Sequence, residues 1–301
     1  MSHRAPWKAF VVVLVALALG AAGCGRQQHP LEPQVPPDGS LEAGLEALPE
    51  DGGSSFAASP EEAEAIRHAR PVTGPTIISS PGNYRLEDDL EATGDGIVIT
   101  ASDVRLWLGE HRLRGPGNKA GRGVVIAGAR NVRVVGGRIE RFGIGVVLDQ
   151  ASGCSVVRVG VKGGDETADP AAGNPPQIGV MLVNSAHNAI ARNRFRDVNL
   201  GIFVRGGGSY RNRIDGNRVV GGEHGLLAIC YNPAPGGDPA GPREDRVRHN
   251  LLARFGTGIV TSAHSAENAF ALNVIRYFDA AWVDENGSNV FRHNRAERLE
   301  R

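Results

Sequence analysis

Asp149 and Arg205 are the two residues whose types could do chemistry together. A carboxylate can take a proton, and a guanidinium can hold the anion that results. His224 completes the set of catalytic candidates, with Glu223 and Tyr231 close by in the pattern. The competing account of Asp149 and Arg205 is an exposed ion pair of small energetic weight. Other chemistries are missing. No Ser-His-Asp, phosphate-loop or zinc spacing occurs. Copper handling wants clustered His and Met, whereas the nine His are scattered and one of the two Met is the initiator. No metal site follows from the sequence. No cofactor is called for, with calcium left open.

A repeat must position these residues. Gly-apolar-x-apolar recurs at Gly96, Gly123, Gly145, Gly179, Gly201, Gly225 and Gly258, and Ala281 opens a worn last copy. The commonest spacing is 22 to 24 residues, which is the mark of a solenoid. Between the copies runs a polar column of Asp103, Asn131, Ser155, Asn188, Asn212, Asp245, Asn268 and Asn289. Five residues further on, a second column reads Gly136, Gly160, Asn193, Asn217, Asn250, Asn273 and Asn294. Gly and Asn adopt the left-handed backbone most readily, so the second column predicts a left-handed corner in every coil. The stacked Asn side chains predict amide ladders. Apolar residues that follow the corners, such as Ile190, Phe195, Ile214 and Val219, alternate with Arg. That is the pattern of strands buried on one face. Three short strands per coil and about eight coils predict an all-β chain, a single-stranded right-handed parallel β-helix. Its length would be roughly 40 Å.

Alternation along the Gly strand predicts which side chains point outward. One outward column is Val98, Val125, Val147, Met181, Phe203, Leu227, Val260 and Val283, all apolar. The next is Thr100, Ala127, Asp149, Val183, Arg205, Ile229, Ser262 and Glu285. A long exposed apolar stripe marks a partner, unless the tether or the loops lie over it. Two insertions, residues 163–177 and 231–244, flank this face. Loops on a rigid scaffold are where function concentrates. The expectation is a shallow groove with Met181, Phe203, Leu227 and Tyr231 as binding residues, engaging polysaccharide or an envelope protein. Self-association is a further expectation, because the chain reaches "HNRAERLER" with no obvious cap and an open β edge invites pairing.

The totals limit the partners. Basic and acidic residues balance at 33 each, so there is no electrostatic case for nucleic acid. Residues 1–23 read as a signal peptide, with a positive start and an unbroken apolar run from Ala9 to Leu19, short for a membrane span. Small residues before Cys24 resemble the bacterial lipoprotein cleavage box. Cys24 is therefore the expected lipidation site, and the membrane is met only through that anchor. Residues 24–70 have tether composition, broken by one helical hint at Ser59 to Ala69, and residues 71–301 form the β-helix. The expected place is the cell envelope, facing the periplasm or the cell surface. Cys154 and Cys230 fall three coils apart, too far to bond, and are expected as buried free thiols.

The "N-x-I-x-x-N" and "G-I-x-V" repeats resemble the pectin-lyase-like superfamily and, within it, the NosD-type periplasmic proteins. Pro81 to Gly117 resembles their leading segment, from which Trp107 and Glu110 depart. The resemblance implies a fold but not an activity. Polygalacturonases of this superfamily carry paired Asp motifs and Arg-Ile-Lys, which are missing here. Alginate epimerases carry Asp-Pro-His-Asp, and Ala follows both Asp169-Pro170 and Asp238-Pro239. The expectation is a cell-envelope binding or scaffold protein. The alternative is a carbohydrate-active enzyme, a polysaccharide lyase or uronate epimerase.

Overall fold

The computed structural model describes residues 59–117, 119–164, 175–232, 240–276, 279–285 and 287–297. Cys24, the signal peptide, most of the tether and the middles of both insertions lie outside these residues. The described chain winds as a right-handed parallel β-helix. Its first sheet stacks nine strands: Thr76–Ile78, Ile97–Ile99, Arg122–Ala127, Ile144–Asp149, Ile178–Val183, Leu200–Arg205, Leu227–Asn232, Thr257–Thr261 and Ala280–Asp284. There are thus nine rungs where the repeat predicted about eight. The extra one, at Thr76, lacks the Gly-apolar-x-apolar motif. The second and third sheets run into one another at the start because Val104–Arg114 and Arg133–Glu140 bend through the corner unbroken. Beyond them the two sheets separate into short pairs such as Ala189–Ala191 and Arg194–Arg196.

Inward residues of all three sheets fill the lumen. Ile97, Ile126, Leu148, Ile190, Phe195 and Val219 are fully buried in one continuous cluster. Where Gly opens a first-sheet strand, it is there for closeness. A Cβ on Gly201 would lie 2.2 Å from Val219 Cγ1 and 2.4 Å from the Ala228 carbonyl oxygen, which no side chain tolerates.

Both Asn ladders form, but of the second column only Gly136 (φ 72°) is left-handed as the sequence suggested. Elsewhere the left-handed residues are those just before the ladder: Arg192 (φ 55°), His249 (φ 55°), Leu272 (φ 55°) and Gly216 (φ 66°). The ladder Asn residues themselves are not left-handed. They work through their amides. Asn188, Asn212, Asn268 and Asn289 stack in one column, and Asn193, Asn217, Asn250, Asn273 and Asn294 in the other, each Oδ1 accepting a backbone N–H from the preceding rung. The early members were misplaced by one residue. Cys154, not Ser155, donates its N–H to Asn188 Oδ1, and Val159, not Gly160, donates to Asn193 Oδ1.

The first ladder ends on an acid. Asp284 Oδ1 accepts from Asn289 Nδ2 and from Thr261 Oγ1, both at 2.8 Å. Its Oδ2 takes the Asn289 backbone N–H at 3.3 Å. The bonds that another Asn rung would supply to Asn289 are thus met by Asp284.

The folded body begins before residue 71. Ser59 caps a helix, Pro60–Arg67, accepting the Glu62 N–H at 3.1 Å, and Arg70–Val72 pairs with Gly82–Leu86. Ala65 and Ile66 of the helix pack on Ala69, Trp107 and Val135. Trp107, one of the two departures from the family pattern, is therefore the outward residue on which the helix docks. Cys154 and Cys230 are buried free thiols. Burial pushes both thiols up, Cys230 to about 12.

Candidate functional site

The site candidates sit where first-sheet strands end and the chain turns toward the second sheet. Asp149 and Arg205 share an outward column, each paired in register with Val183 between them. Two rungs at about 4.8 Å put their backbones roughly 10 Å apart. Arg205 is only 8% exposed. Burial lowers its guanidinium to about 10, and Asp149 pulls the other way, so Arg205 stays charged at neutral pH.

His224 does not join them. It lies in the turn that leads into Leu227–Asn232, and its carbonyl accepts from Asn199 Nδ2 at 2.9 Å. Leu227 pairs with Leu200, at the opposite end of the strand from Arg205. Five residues of strand, roughly 17 Å, separate the two ends. The three catalytic candidates do not converge.

A slip in register accounts for two further corrections. The sixth marker in the first sheet is Ala228 rather than Gly225, because Phe203 pairs with Cys230 and Arg205 with Asn232. Leu227 therefore belongs to a neighbouring outward column with Ile178 and Leu200, and Asn232 replaces Ile229 beside Arg205. Tyr231 turns inward and is fully buried. It stacks edge-on with Phe270 in the lumen at 5.5 Å, where no ligand on the rod surface reaches it. Gly225 misled because it is followed by the same apolar types as a true marker.

The middle of the apolar stripe is covered, whereas Ile77 and Val283 at its two ends are 66% and 38% exposed. Val125, Val147, Phe203 and Cys230 are at most 4% exposed, and Met181 is half-buried. With Ile144, Ile178, Leu200 and Leu227 they form a second apolar cluster outside the lumen. Among the described residues these side chains leave little apolar floor open for the expected groove. The middles of the insertions expected to wall it lie outside the described residues.

The same corner carries an aromatic residue that sequence reasoning missed. Tyr210 follows the turn after Arg205. Its ring lies edge-on to His187 at 5.1 Å, and the Arg243 guanidinium sits 5.2 Å from its centroid. Arg243 Nη1 also donates to the Gly207 carbonyl at 2.9 Å, tying down the turn. Tyr210 is half-buried. A partly exposed aromatic among charged groups is the signal that could have found it, since the chain has only four Tyr. Among the described residues no cluster of three or more His, Cys, Asp or Glu could hold a metal ion.

The sequence matches the family of right-handed beta helix regions over residues 90–234. No curated protein sequence matches the chain. The tailspike protein of E. coli bacteriophage HK620, in complex with a pentasaccharide, is similar over 75% of this chain and 47% of its own, at 12% identity and a TM-score of 0.54. A double mutant of that tailspike with a pentasaccharide gives 74%, 46%, 12% and 0.52. This chain thus spans about half the length of the tailspikes it matches. An alginate lyase from Paenibacillus is similar over 78% and 95% of the two chains at 12% identity, but its TM-score of 0.34 is too low to relate the two sites. Register, family match and tailspike alignments agree on one architecture: this chain is a right-handed parallel β-helix protein.

Proposed function

We propose that this protein is a non-catalytic polysaccharide-binding β-helix, held at the cell envelope through a lipid on Cys24. The observation that carries the reading is the corner around Tyr210, where a half-buried ring is flanked by His187 and Arg243, next to the column of Asp149, Arg205 and Asn232. A sugar ring needs an apolar face to lie on and charged or amide groups for its hydroxyls, and this corner supplies both. The separation of His224 from Asp149 and Arg205 favours holding a glycan over turning it over. A tailspike in complex with a pentasaccharide on the same fold supports the choice of ligand class.

The test is a panel of neutral and acidic polysaccharides in affinity electrophoresis, with chain length and the ultraviolet absorbance of unsaturated ends followed in parallel. Retardation without cleavage, lost in Tyr210→Ala, is the expected result. Cleavage that disappears in Arg205→Ala would replace this reading with a lyase. Epimerised uronate without cleavage would replace it with an epimerase.

A further inference from the structure

The helix Pro60–Arg67 is attached to the rod in a way that no rung is. It adds no strand to either sheet and no amide to either ladder. None of its own residues is fully buried. Ala65 and Ile66 supply its apolar contact, against Ala69, Trp107 and Val135. Its polar ties to the rod are made by Glu62, whose Oε1 lies 3.5 Å from Trp107 Nε1 and 3.8 Å from Arg133 Nη2. Glu64 pairs with Arg67 and with His68 on the exposed side of the helix. Those pairs do not hold the helix down.

Helix formation and docking must therefore be one event. A stretch of about eight residues does not keep a helix by itself in water, because nucleation costs more than so few hydrogen bonds return. Trp107 and Val135 are register partners on the outward face of the second sheet, each 4% exposed beneath the helix. Their burial is what the helix gains by docking. The rod side of the junction is pinned more firmly. Arg70–Val72 pairs in register with Tyr84, Arg85 and Leu86, and Arg70 Nη1 donates to Tyr84 Oη at 3.1 Å. The change from paired strand to lightly held helix falls at His68 and Ala69.

The direction of the helix gives this junction a consequence. Its first turn touches Arg133, whereas the strand that follows it lies three strands earlier in the second-sheet stack. The helix thus lies back along the rod. The chain ahead of Ser59 meets the rod on its flank and not at its first rung.

We propose that this helix is a latch that sets how far the rod stands from whatever holds the chain ahead of it. Docked, the helix spans about 12 Å along the flank. Undocked, the segment from Ser59 to His68 unwinds and spans up to roughly 35 Å from the first rung. Release lengthens the link by at least about 20 Å and leaves both sheets and both ladders intact. The motion itself needs no lipid. Its meaning at a membrane rests on the proposed anchor at Cys24, where release would carry the Tyr210 corner outward.

The experiment uses the full chain with Cys24→Ser, so that the latch is read apart from lipidation. Lipidation is decided separately, from the mass of the Cys24 peptide of the wild-type protein. Hydrogen exchange compares the helix-bonded amides of Ala63, His68 and Ala69 with the rung amides of Arg213 and Arg218. The helix amides should exchange at least about 100-fold faster, through local opening. Ile66→Asp, made on the helix, and Trp107→Ala, made on the rod, should each speed them at least about tenfold further and leave the rung amides unchanged. Pulling on the two ends should give an extension of about 20 Å or more below the force that opens the rod. That extension should be absent in Ile66→Asp. Helix and rung amides exchanging at one rate, or helix and rungs opening in a single extension, would overturn the proposal. So would unchanged helix exchange in both variants. Rung protection lost in Ile66→Asp would also overturn it, because the helix would then be a support of the fold.

Discussion

Asn217 Oδ1 accepts two hydrogen bonds from Asn193, from the backbone N–H at 2.9 Å and from Nδ2 at 3.0 Å. The Asn217 amide in turn donates to the Ile190 carbonyl at 2.8 Å and to Asn250 Oδ1 at 3.0 Å. All these groups are buried. Asn217→Ala leaves several of them unmet at once. A loss of about 3 kcal/mol or more is expected, read as a lower denaturation midpoint by circular dichroism. A cost below about 1 kcal/mol would mean that the ladder is not a main support of the rod.

Asp245 occupies an Asn position in the other ladder, and its Oδ1 accepts the Asn212 N–H at 2.6 Å. Burial raises its carboxyl from 3.8 to about 7, although hydrogen bonds from Asn212 and the nearness of the Tyr231 hydroxyl oppose the rise. A raised folded pKa means that the folded state holds the proton more tightly than the unfolded state. The stability this proton gives is complete below about pH 4 and is lost as pH rises through about 7. Asp245→Asn should therefore stabilise the rod at about pH 8 by up to roughly 4 kcal/mol and flatten its pH dependence. Thermal melts at acidic and alkaline pH check this, and parallel pH curves for wild type and variant would refute it.

Tyr231 and Tyr210 should separate in their effects. The Tyr231 hydroxyl is fully buried and has no partner that satisfies hydrogen-bond geometry, though it lies near enough to Asp245 to bias its titration. Removing an unsatisfied buried hydroxyl is neutral or mildly favourable, by up to about 1 kcal/mol. Tyr231→Phe should melt at or slightly above the wild-type temperature and bind glycans unchanged. Tyr210→Ala should keep the fold and lose glycan binding. Equal binding by the two variants would move the site away from this corner.

Leu272 holds a left-handed backbone at φ 55° and is 38% exposed. A left-handed γ-branched residue is strained, and little apolar burial offsets the strain. Leu272→Gly should raise stability by about 0.5–1 kcal/mol, the strain relieved less the extra chain entropy of Gly. A lower melting temperature would show that Leu272 contributes packing that outweighs its strain.

Much of the fold was legible because its geometry is written once per coil. Asn193, Asn217, Asn250 and Asn273 could be aligned by spacing alone, and each occupies the expected ladder. The left-handed turn was assigned one residue too late because the side chain that stabilises a corner and the backbone that makes it belong to different residues. Arg192, His249 and Leu272 give no compositional hint of that conformation. Register failed at Gly225 because the coil before Ala228 carries three extra residues that imitate the motif. That slip turned lumenal Tyr231 into a surface candidate. Tyr210 was passed over because nothing repeats it. Periodicity reveals what every coil shares, whereas a binding site is what one coil does differently.

The carboxylate of Asp284 that terminates the Asn289 ladder fixes where a chain of this kind can change length. Any internal rung presents to its neighbours the same bonds that it receives, so the segment from Gly179 to Leu200 could be duplicated or deleted with its flanking register unchanged. The rung that carries Asp284 offers no such exchange, because it turns the ladder's bonds back on itself. Growth and shrinkage by unequal recombination would thus be expected among the middle coils rather than at this rung.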